Sequence, residues 1–321
     1  MTATADKLTT GPLLRQHPWG LNRRLQARSD KRLTEVFDSA EELTFDDSSR
    51  FVFFSDLHRG TKSRADAFAG NEDLFLQVLS HYHRQGFTYI EVGDGDELWQ
   101  NRRFSDILQA HRRTFDLLHR LNRQGRLHIV FGNHDIRDGR CHQVEKDGIH
   151  TREGLILRHS QTGQKLFVLH GHQADPKCDN LLKLSRLLVR HFWARLKLLG
   201  IVAPFDSQNS VPPMGIVERQ TLEGSMVRYK KKVERRIVEW LTPRRQIVIC
   251  GHTHRPMCAG YGAPYFNAGG CVYDGYITGL EIQDGEIRLI RWSSLRSPGR
   301  RGELRVKREL LAAPRKLHLL N

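Results

Sequence analysis

Cysteine is scarce in this sequence: there are five among 321 residues, and no two of them form a C-x-x-C pair. The odd number and the spacing argue against a disulfide framework and a structural zinc site, so we expect free thiols in a reducing compartment. Apolar runs are short too, since none approaches the roughly 18 residues that a membrane helix requires. The first residues lack the apolar core of a secretory signal, which favours a cytoplasmic location.

Negative charge is the other deficit. The chain has 51 lysine and arginine residues against 36 aspartate and glutamate residues, and its formal net charge is +15. Such an excess attracts anionic partners, which include phosphorylated metabolites, nucleic acid and anionic lipid headgroups. The charge does not choose among these partners, and the sequence leaves the oligomeric state open.

Apolar strand and helix patterns alternate over the first half of the chain. Short runs at Phe51–Phe54, Tyr89–Val92 and Leu127–Phe131 predict strands. The amphipathic stretches between them predict helices that stop at Gly86 and Gly125. This order predicts an α/β fold with right-handed β-α-β crossovers.

The sequence further divides into a predicted N-terminal helical extension, a main domain and a basic C-terminal tail, at residues 1–44, 45–295 and 296–321. The extension helix is expected from about Asn22 to Glu42. Residues 175–243 are predicted to form a helical insertion that caps the site. Its helix at 180–199 either packs on the core or offers an apolar groove above the site. The tail is expected to be a solvated basic segment, with membrane or nucleic-acid contact as the alternative.

Five predicted strands each end in a polar cluster: SDLH, GDGD, GNHD, HGH and GHTH. Ligand sites in α/β proteins gather just beyond the carboxyl ends of strands, so we expect these clusters to converge on one edge. They supply the candidate metal ligands Asp56, His58, Asp94, Asn133, His170, His252 and His254.

These residue types favour a pair of divalent ions. Asp, His and Asn offer oxygen and nitrogen donors, which suit Mn²⁺, Fe²⁺ or Zn²⁺, and we expect Mn²⁺. The candidates exceed the needs of one octahedral ion, so two ions about 3.5–4 Å apart and bridged by a carboxylate are predicted. A bridging hydroxide would then attack phosphorus. His134, oriented by Asp135, is the predicted catalytic acid for the leaving group.

The ordered set SDLH, GDGDE, GNHD, HGH and GHTH, spread over residues 51–290, resembles the calcineurin-like metallophosphoesterase superfamily. The resemblance implies a two-sheet β sandwich flanked by helices, with the metals at one edge between the sheets. It also implies a role for each ligand. Asp56, His58 and His254 would bind the first metal, Asp94 would bridge, and Asn133, His170 and His252 would complete the second. His134 would donate a proton or stabilise the transition state.

Within the superfamily, the ending GHTHRP and the helical insertion look most like the bacterial UDP-diacylglucosamine pyrophosphatase group. That group releases a lipid phosphosugar at the membrane surface. The sequence departs from it at His134, where the group carries arginine, and in its N-terminal extension and basic tail. Arg59 and Arg255 directly follow ligand motifs and are predicted to contact a substrate phosphate, unless they are surface arginines. His172 is predicted to contact substrate, and Glu97 to support the site.

The sequence therefore predicts a dinuclear phosphoesterase. Its substrate would be a small phosphorylated or nucleotide-linked metabolite, cleaved at a phosphate ester or pyrophosphate bond. One alternative is a nuclease or polynucleotide phosphatase, which the net charge permits. The other is a non-catalytic binding module on the same scaffold.

Overall fold

A computed structural model describes residues 23–136, 145–176, 178, 216–295 and 305–320. Its helices are α1 (Arg23–Ser39), α2 (Glu72–Arg84), α3 (Phe104–Ala110), α4 (Arg112–Arg123) and α5 (Ile216–Leu241). Its first seven strands are β1 (Glu41–Phe45), β2 (Phe51–Phe54), β3 (Thr88–Val92), β4 (Leu127–Val130), β5 (Glu145–Lys146), β6 (Ile149–Arg152) and β7 (Gly154–His159). The remaining strands are β8 (Lys165–Leu169), β9 (Ile247–Cys250), β10 (Tyr265–Asn267), β11 (Tyr276–Gln283), β12 (Glu286–Leu295), β13 (Arg305–Leu310) and β14 (Arg315–Lys316).

The larger sheet has nine strands, in the order β13-β12-β11-β2-β3-β4-β6-β5, with β14 beside β12. Strands β2, β3, β4 and β6 run parallel, and β11 and β12 are antiparallel neighbours. The register places Phe53 beside Ile90, and Ile90 beside His128. The carboxyl ends of β2, β3 and β4 therefore lie side by side at one edge of the sheet.

The smaller sheet has five strands, in the order β1-β7-β8-β9-β10. Strands β8, β9 and β10 run parallel, so the carboxyl ends of β8 and β9 are also neighbours. An apolar core fills the space between the two sheets. Phe53 and Ile90 enter it from the larger sheet, and Leu166, Val168 and Ile249 enter it from the smaller one.

Helices cover the outer faces of both sheets. Helices α2 and α4 pack on the larger sheet, and α1 and α5 pack on the smaller one. Leu74, Val78 and Tyr82 are buried on the apolar face of α2, because their spacing places them on one side of the helix. Gly86 and Gly125 follow α2 and α4 with φ of 79° and 67°, a conformation that glycine adopts without strain. The predicted two-sheet α/β fold and both helix stops are confirmed.

Two terminal segments contain strands beyond those predicted. Helix α1 ends at Ser39, short of the predicted Glu42, because Glu41–Phe45 forms strand β1 and pairs with β7. Residues 305–316 add strands β13 and β14 to the larger sheet, where most of their side chains are exposed, so the prediction that the tail is solvated is not contradicted. The division of the chain into extension, domain, insertion and tail stays a prediction.

The predicted insertion is described only in part. Helix α5 is its second basic helix, whereas the helix expected at 180–199 lies outside the described residues. Among the described residues, no helix has both the length and the apolar character needed to cross a membrane.

Candidate metal centre

The predicted clusters meet at one edge of the sandwich. Asp56 and Asp94 follow β2 and β3, and His170 and His252 follow β8 and β9 of the opposite sheet. The backbone N–H of His252 donates to Oδ2 of Asp56 at 3.0 Å, which joins the two sheets at this edge. The convergence expected from the strand ends is thus seen in the structure.

One group of donors consists of Asp56, His58 and His254. Nε2 of His254 lies 2.8 Å from Oδ1 of Asp56 and 3.4 Å from Nε2 of His58. Nε2 of His58 lies 3.8 Å from Oδ1 of Asp56. One donor atom from each residue falls within 4.8 Å of the others, so a single cation can contact all three.

A second group consists of Asp94, His170 and His252, again with donor atoms within 4.8 Å of one another. Nδ1–H of His170 donates to the backbone carbonyl of Val92 at 2.8 Å. Because the ring proton is on Nδ1, Nε2 is the nitrogen that can bind a metal ion. It lies 3.1 Å from Oδ2 of Asp94. A backbone carbonyl often orients a ligand histidine at metal sites in this way.

Asp94 belongs to the second group and also faces the first. Its Oδ2 is 3.1 Å from Nε2 of His170 and 3.8 Å from Nε2 of His58. Its Oδ1 accepts a hydrogen bond from the backbone N–H of His134 at 2.8 Å. A single carboxylate oxygen therefore faces a histidine of each group, which is the position that the predicted bridging role of Asp94 requires.

Three buried donor atoms at this edge have no partner outside the candidate ligands. Oδ1 of Asn133 makes no hydrogen bond among the described residues, whereas Oδ1 of Asp56 and Nε2 of His170 face only other candidate ligands, His254 and Asp94. A buried polar atom without a partner is costly, and it calls for an explanation such as a bound ion. Because all three atoms belong to predicted ligands, and all are oxygen or nitrogen donors, this site fits divalent metal ions.

The backbone at the candidate ligands adopts an uncommon conformation. Asp56, His58, Asp94, His252 and His254 have φ between 50° and 65°. Residues other than glycine rarely occupy this left-handed region, and such residues cluster at functional sites because the surrounding structure holds them there. The strained turns aim the side chains away from the strands and toward the shared edge.

Electrostatic interactions keep the buried carboxylates ionised. Burial alone would raise the pKa of Asp94, but His170, His134 and His58 hold it well below its usual range. Burial would likewise raise the pKa of Asp56, but His254 and His170 outweigh burial and lower it. Two ionised carboxylates in a buried cluster are the form of these side chains that binds cations.

His134 is held from two sides. Nδ1 of His134 lies 2.8 Å from Oε1 of Glu97, and the imidazole stacks on the indole of Trp99. The second carboxylate oxygen of Glu97 lies 3.1 Å from Nδ1 of His58. Burial lowers the pKa of His134, but Glu97 and Asp94 outweigh that effect and raise it. Glu97 thus orients both a candidate ligand and the candidate proton donor, which agrees with its predicted supporting role.

Asp135 does not orient His134, contrary to the prediction. It accepts hydrogen bonds from the backbone N–H groups of Gly132 and Asp96, at 2.7 and 2.8 Å, and pairs with Lys146. The side chain points back into the turn because the buried amides and ammonium satisfy it there. Glu97 takes the role that sequence adjacency suggested for Asp135.

The predicted substrate contacts have different outcomes. Arg59 is fully buried and its guanidinium is bound by Glu91 and Asp96, so the prediction that it reaches a substrate phosphate is wrong.

Arg255 pairs with Glu234 of α5 and remains partly exposed. His172 is buried, and burial together with the positive charge of His170 holds its pKa well below the usual range. Substrate contact by Arg255 or His172 stays a prediction.

Sequence reasoning missed a link between α5 and the second group of donors. Oδ2 of Asp175 lies 3.1 Å from Nε2 of His252, and Tyr229 of α5 donates its hydroxyl hydrogen bond to Oδ1 of Asp175. Asp175 and His252 also share a possible metal-binding group with Cys178. The sequence feature that could have indicated this link is the position of Asp175, three residues after the HGH motif. Nothing in the sequence indicated that Tyr229 would reach it.

A pocket of about 290 Å³ lies against the candidate ligands. Its polar lining includes His58, Asp94 and Asn133. Its apolar lining includes Ala65, Ala67, Met226, Tyr229, Val233 and Val272. A bound molecule would therefore contact the candidate metal centre and an apolar surface at the same time.

One of three comparisons with known proteins identifies a family. The calcineurin-like phosphoesterase family matches residues 49–256, which contain every candidate ligand. No curated protein matches the chain. Among solved structures, a cold-active protein tyrosine phosphatase is 14% identical, covers 84% of this chain and 80% of its own, and has a TM-score of 0.34. The family match spans well over half of the sequence, and so this chain belongs to the calcineurin-like phosphoesterases, which are metal-dependent hydrolases of phosphoric esters.

Proposed function

We propose that the protein hydrolyses a small phosphorylated or nucleotide-linked metabolite with two divalent ions, which we expect to be Mn²⁺. The observation that carries this proposal is the arrangement of two three-residue donor groups, joined by the contact of Asp94 in one with His58 in the other, with members of both lining one pocket. Asp56, His58 and His254 would hold one ion, and Asp94, Asn133, His170 and His252 would hold or share the other.

When bound, the ions supply an activated water as nucleophile and neutralise charge on the phosphoryl oxygens. The protein positions the other reactants. Glu97 occupies Nδ1 of His134, so Nε2 is the ring nitrogen that remains for a proton transfer to the leaving oxygen. His134 lines the pocket, where that oxygen would lie. Stacking on Trp99 limits rotation of that ring, so its proton can be delivered in a fixed direction.

The pocket supports a substrate with a partly apolar leaving group. Met226, Tyr229 and Val233 of α5 line the pocket together with the candidate ligands. Lys230 of the same helix lines it too, and its ammonium would bind a second phosphate. Among the described residues that line the pocket, Lys230 is the sole lysine or arginine. These features favour a pyrophosphate or nucleotide-linked ester over a simple monoester, and a small molecule over a polynucleotide.

The test compares hydrolysis of p-nitrophenyl phosphate and bis-p-nitrophenyl phosphate by chelated protein reloaded with Mn²⁺. Asp94→Asn removes the charge of the central carboxylate. Asp73→Asn is the matched control, because Asp73 pairs with Arg113 on the exposed surface of α2. We expect two ions per chain and turnover in the wild type and in Asp73→Asn, and loss of turnover in Asp94→Asn.

The relative rates with the two esters distinguish the classes of substrate. A preference for the diester supports diester or pyrophosphate substrates, and a preference for the monoester supports phosphatase activity. Folded wild-type protein that binds no Mn²⁺, Fe²⁺ or Zn²⁺ and turns over neither ester would support the binding-module alternative. Activity with Zn²⁺ or Fe²⁺ alone would contradict our choice of Mn²⁺. The closer resemblance to the UDP-diacylglucosamine pyrophosphatase group, the cytoplasmic location and any membrane or nucleic-acid contact stay predictions.

A further inference from the structure

Behind the candidate metal centre, five charged side chains form a continuous chain of buried ion pairs. None of them is more than 2% exposed. In spatial order they are Glu91, Arg59, Asp96, Lys146 and Asp135. Three carboxylates alternate with two cations, so each cation lies between two negative charges.

The contacts along this chain are short. The two terminal nitrogens of Arg59 donate to the two oxygens of Glu91 at 2.7 and 2.8 Å, and Nε of Arg59 donates to Oδ1 of Asp96 at 2.7 Å. Nζ of Lys146 donates to Oδ2 of Asp96 and to Oδ1 of Asp135, both at 2.6 Å. Every link is a charge-assisted hydrogen bond, the strong class in proteins.

The chain of ion pairs runs through the three loops that carry candidate ligands of the larger sheet. Arg59 follows His58 directly, Asp96 lies two residues after Asp94, and Asp135 lies two residues after Asn133. The backbone joins the same loops, because the N–H of His58 donates to the carbonyl of Asp94 at 2.9 Å. A shift at one buried charge would therefore be passed to the loop of a neighbouring candidate ligand.

Stability alone gives a weak reason for this arrangement. Removing five charges from water costs more than well-packed apolar side chains would, and buried ion pairs are often no more stabilising than such replacements. What such a network can supply is a single defined geometry, because each charge accepts few alternative positions once it is buried.

Lys146 differs from the other members of this chain. It comes from β5, at the far edge of the larger sheet, and not from a loop that carries a ligand. Its ammonium is the link between Asp96 and Asp135, and thus between the loop of Asp94 and the loop of Asn133. Without it, two buried carboxylates would face each other with no cation between them.

We propose that Lys146 is a positioning residue of the metal centre, which sets the distance between the Asp94 and Asn133 loops. This inference rests on the proposed function, since it assumes that those loops hold the ions. Lys146 touches neither the pocket nor a candidate ligand side chain, and it acts through Asp96 and Asp135. Groups that hydrogen-bond directly to metal ligands tune metal affinity by about 10–100-fold, and a residue one contact further away is expected to reach the lower end of that range.

The test titrates Mn²⁺ into chelated protein by calorimetry for the wild type, Lys146→Met and Lys146→Arg. Lys165→Met is the matched control, because Lys165 pairs with Glu42 at the surface of the smaller sheet. The melting temperature of each metal-free protein is measured alongside. We expect Mn²⁺ affinity to fall about 10-fold in Lys146→Met, less in Lys146→Arg, and not at all in Lys165→Met.

A purely structural role of Lys146 would lower the melting temperature and leave Mn²⁺ affinity of the folded protein unchanged, and that result would overturn the inference. If Lys146→Met does not fold, the Mn²⁺ affinity of Lys146→Arg tests the positioning role instead, because arginine keeps the positive charge but alters its position. Wild-type Mn²⁺ affinity in Lys146→Arg would then overturn the inference as well. The proposed function fails separately, through a wild-type protein that binds no ions or an Asp94→Asn variant that remains active.

Discussion

The indole of Trp99 stacks on the imidazole of His134, with ring centroids 4.0 Å apart and an interplanar angle of 22°. Nε1 of Trp99 donates to the backbone carbonyl of Asn133 at 2.6 Å, so the indole itself is fixed by the loop of a candidate ligand. With Glu97 bound to Nδ1, the ring of His134 has a defined orientation beside the donor groups. That orientation is what a proton donor to the leaving oxygen needs.

A first prediction concerns His134→Gln. Loss of a general acid should lower kcat by about 10²–10⁴-fold for a substrate with a poor leaving group. The loss should be much smaller for p-nitrophenyl phosphate, because p-nitrophenolate leaves without a proton. The measurement is kcat for phenyl and p-nitrophenyl phosphate with the same metal-loaded protein. His119→Gln, at a surface histidine that pairs with Asp147, should leave both values unchanged. Equal loss for both esters would rule out proton donation.

The ligand positions could be predicted because two simple patterns coincide in this sequence. Apolar runs such as Phe51–Phe54 predict buried strands, and the polar residues directly after parallel strands must lie at a common edge. Asp56, Asp94 and His170 do lie at one edge of the sandwich, in two neighbouring groups of donor atoms, while their role as metal ligands stays a prediction. The resemblance to a family predicted which candidate ligand would bind which ion, because the positions of strand ends alone do not specify this.

Side-chain partners could not be predicted in the same way. Asp135 is adjacent to His134 in sequence, yet Glu97 orients the ring, because the turn points Asp135 toward backbone amides. Arg59 was predicted to contact substrate, but it pairs with Glu91, which is buried inside strand β3. Which cation neutralises a buried carboxylate depends on packing across strands, and that is not encoded in spacing along the chain.

A second prediction concerns the role of Lys230 in substrate binding. If its ammonium binds a second phosphate, Lys230→Met should raise KM for a diphosphate-linked substrate by about 10–100-fold, the value of a lost charged hydrogen bond. KM for p-nitrophenyl phosphate should change little. Lys231→Met is the matched control, because Lys231 is exposed on the same helix and does not line the pocket. Equal effects of the two substitutions would argue for a general electrostatic effect of α5.

A third prediction concerns the close approach of two loops at Gly132. A Cβ atom there would lie 2.1 Å from Oδ1 of Asp94 and 2.4 Å from its backbone nitrogen, so Gly132→Ala must displace the central carboxylate. We expect fewer than two Mn²⁺ ions per chain by metal analysis, together with loss of turnover. Gly70→Ala is the control, since a Cβ at Gly70 meets no atom within 4 Å. Full metal content in Gly132→Ala would show that the ions do not depend on the position of Asp94.

A last prediction concerns acid stability and lies away from the metal centre. Burial and the adjacent Arg152 lower the pKa of His128 to about 4, while Glu41 opposes the shift. NH1 of Arg152 lies 2.8 Å from Nδ1 of His128 and donates to it, which requires a neutral ring, and NH2 of Arg152 pairs with Glu41 at 2.8 Å. Protonation would break the bond to Nδ1 and place two positive charges together.

Because the pKa of His128 is lower in the folded protein than the ordinary value near 6.5, the unfolded chain binds the proton more readily. The stability that the neutral ring confers is complete above pH 6.5 and is lost as the pH falls toward 4. His128→Gln keeps an acceptor for Arg152 but cannot titrate. We therefore expect the free energy of unfolding of the wild type, relative to His128→Gln, to fall by about 1–3 kcal/mol between pH 7.5 and pH 4.5. Urea unfolding of chelated proteins measures this difference without a contribution from metal release. A difference that stays constant with pH would mean that His128 titrates equally in the folded and unfolded states.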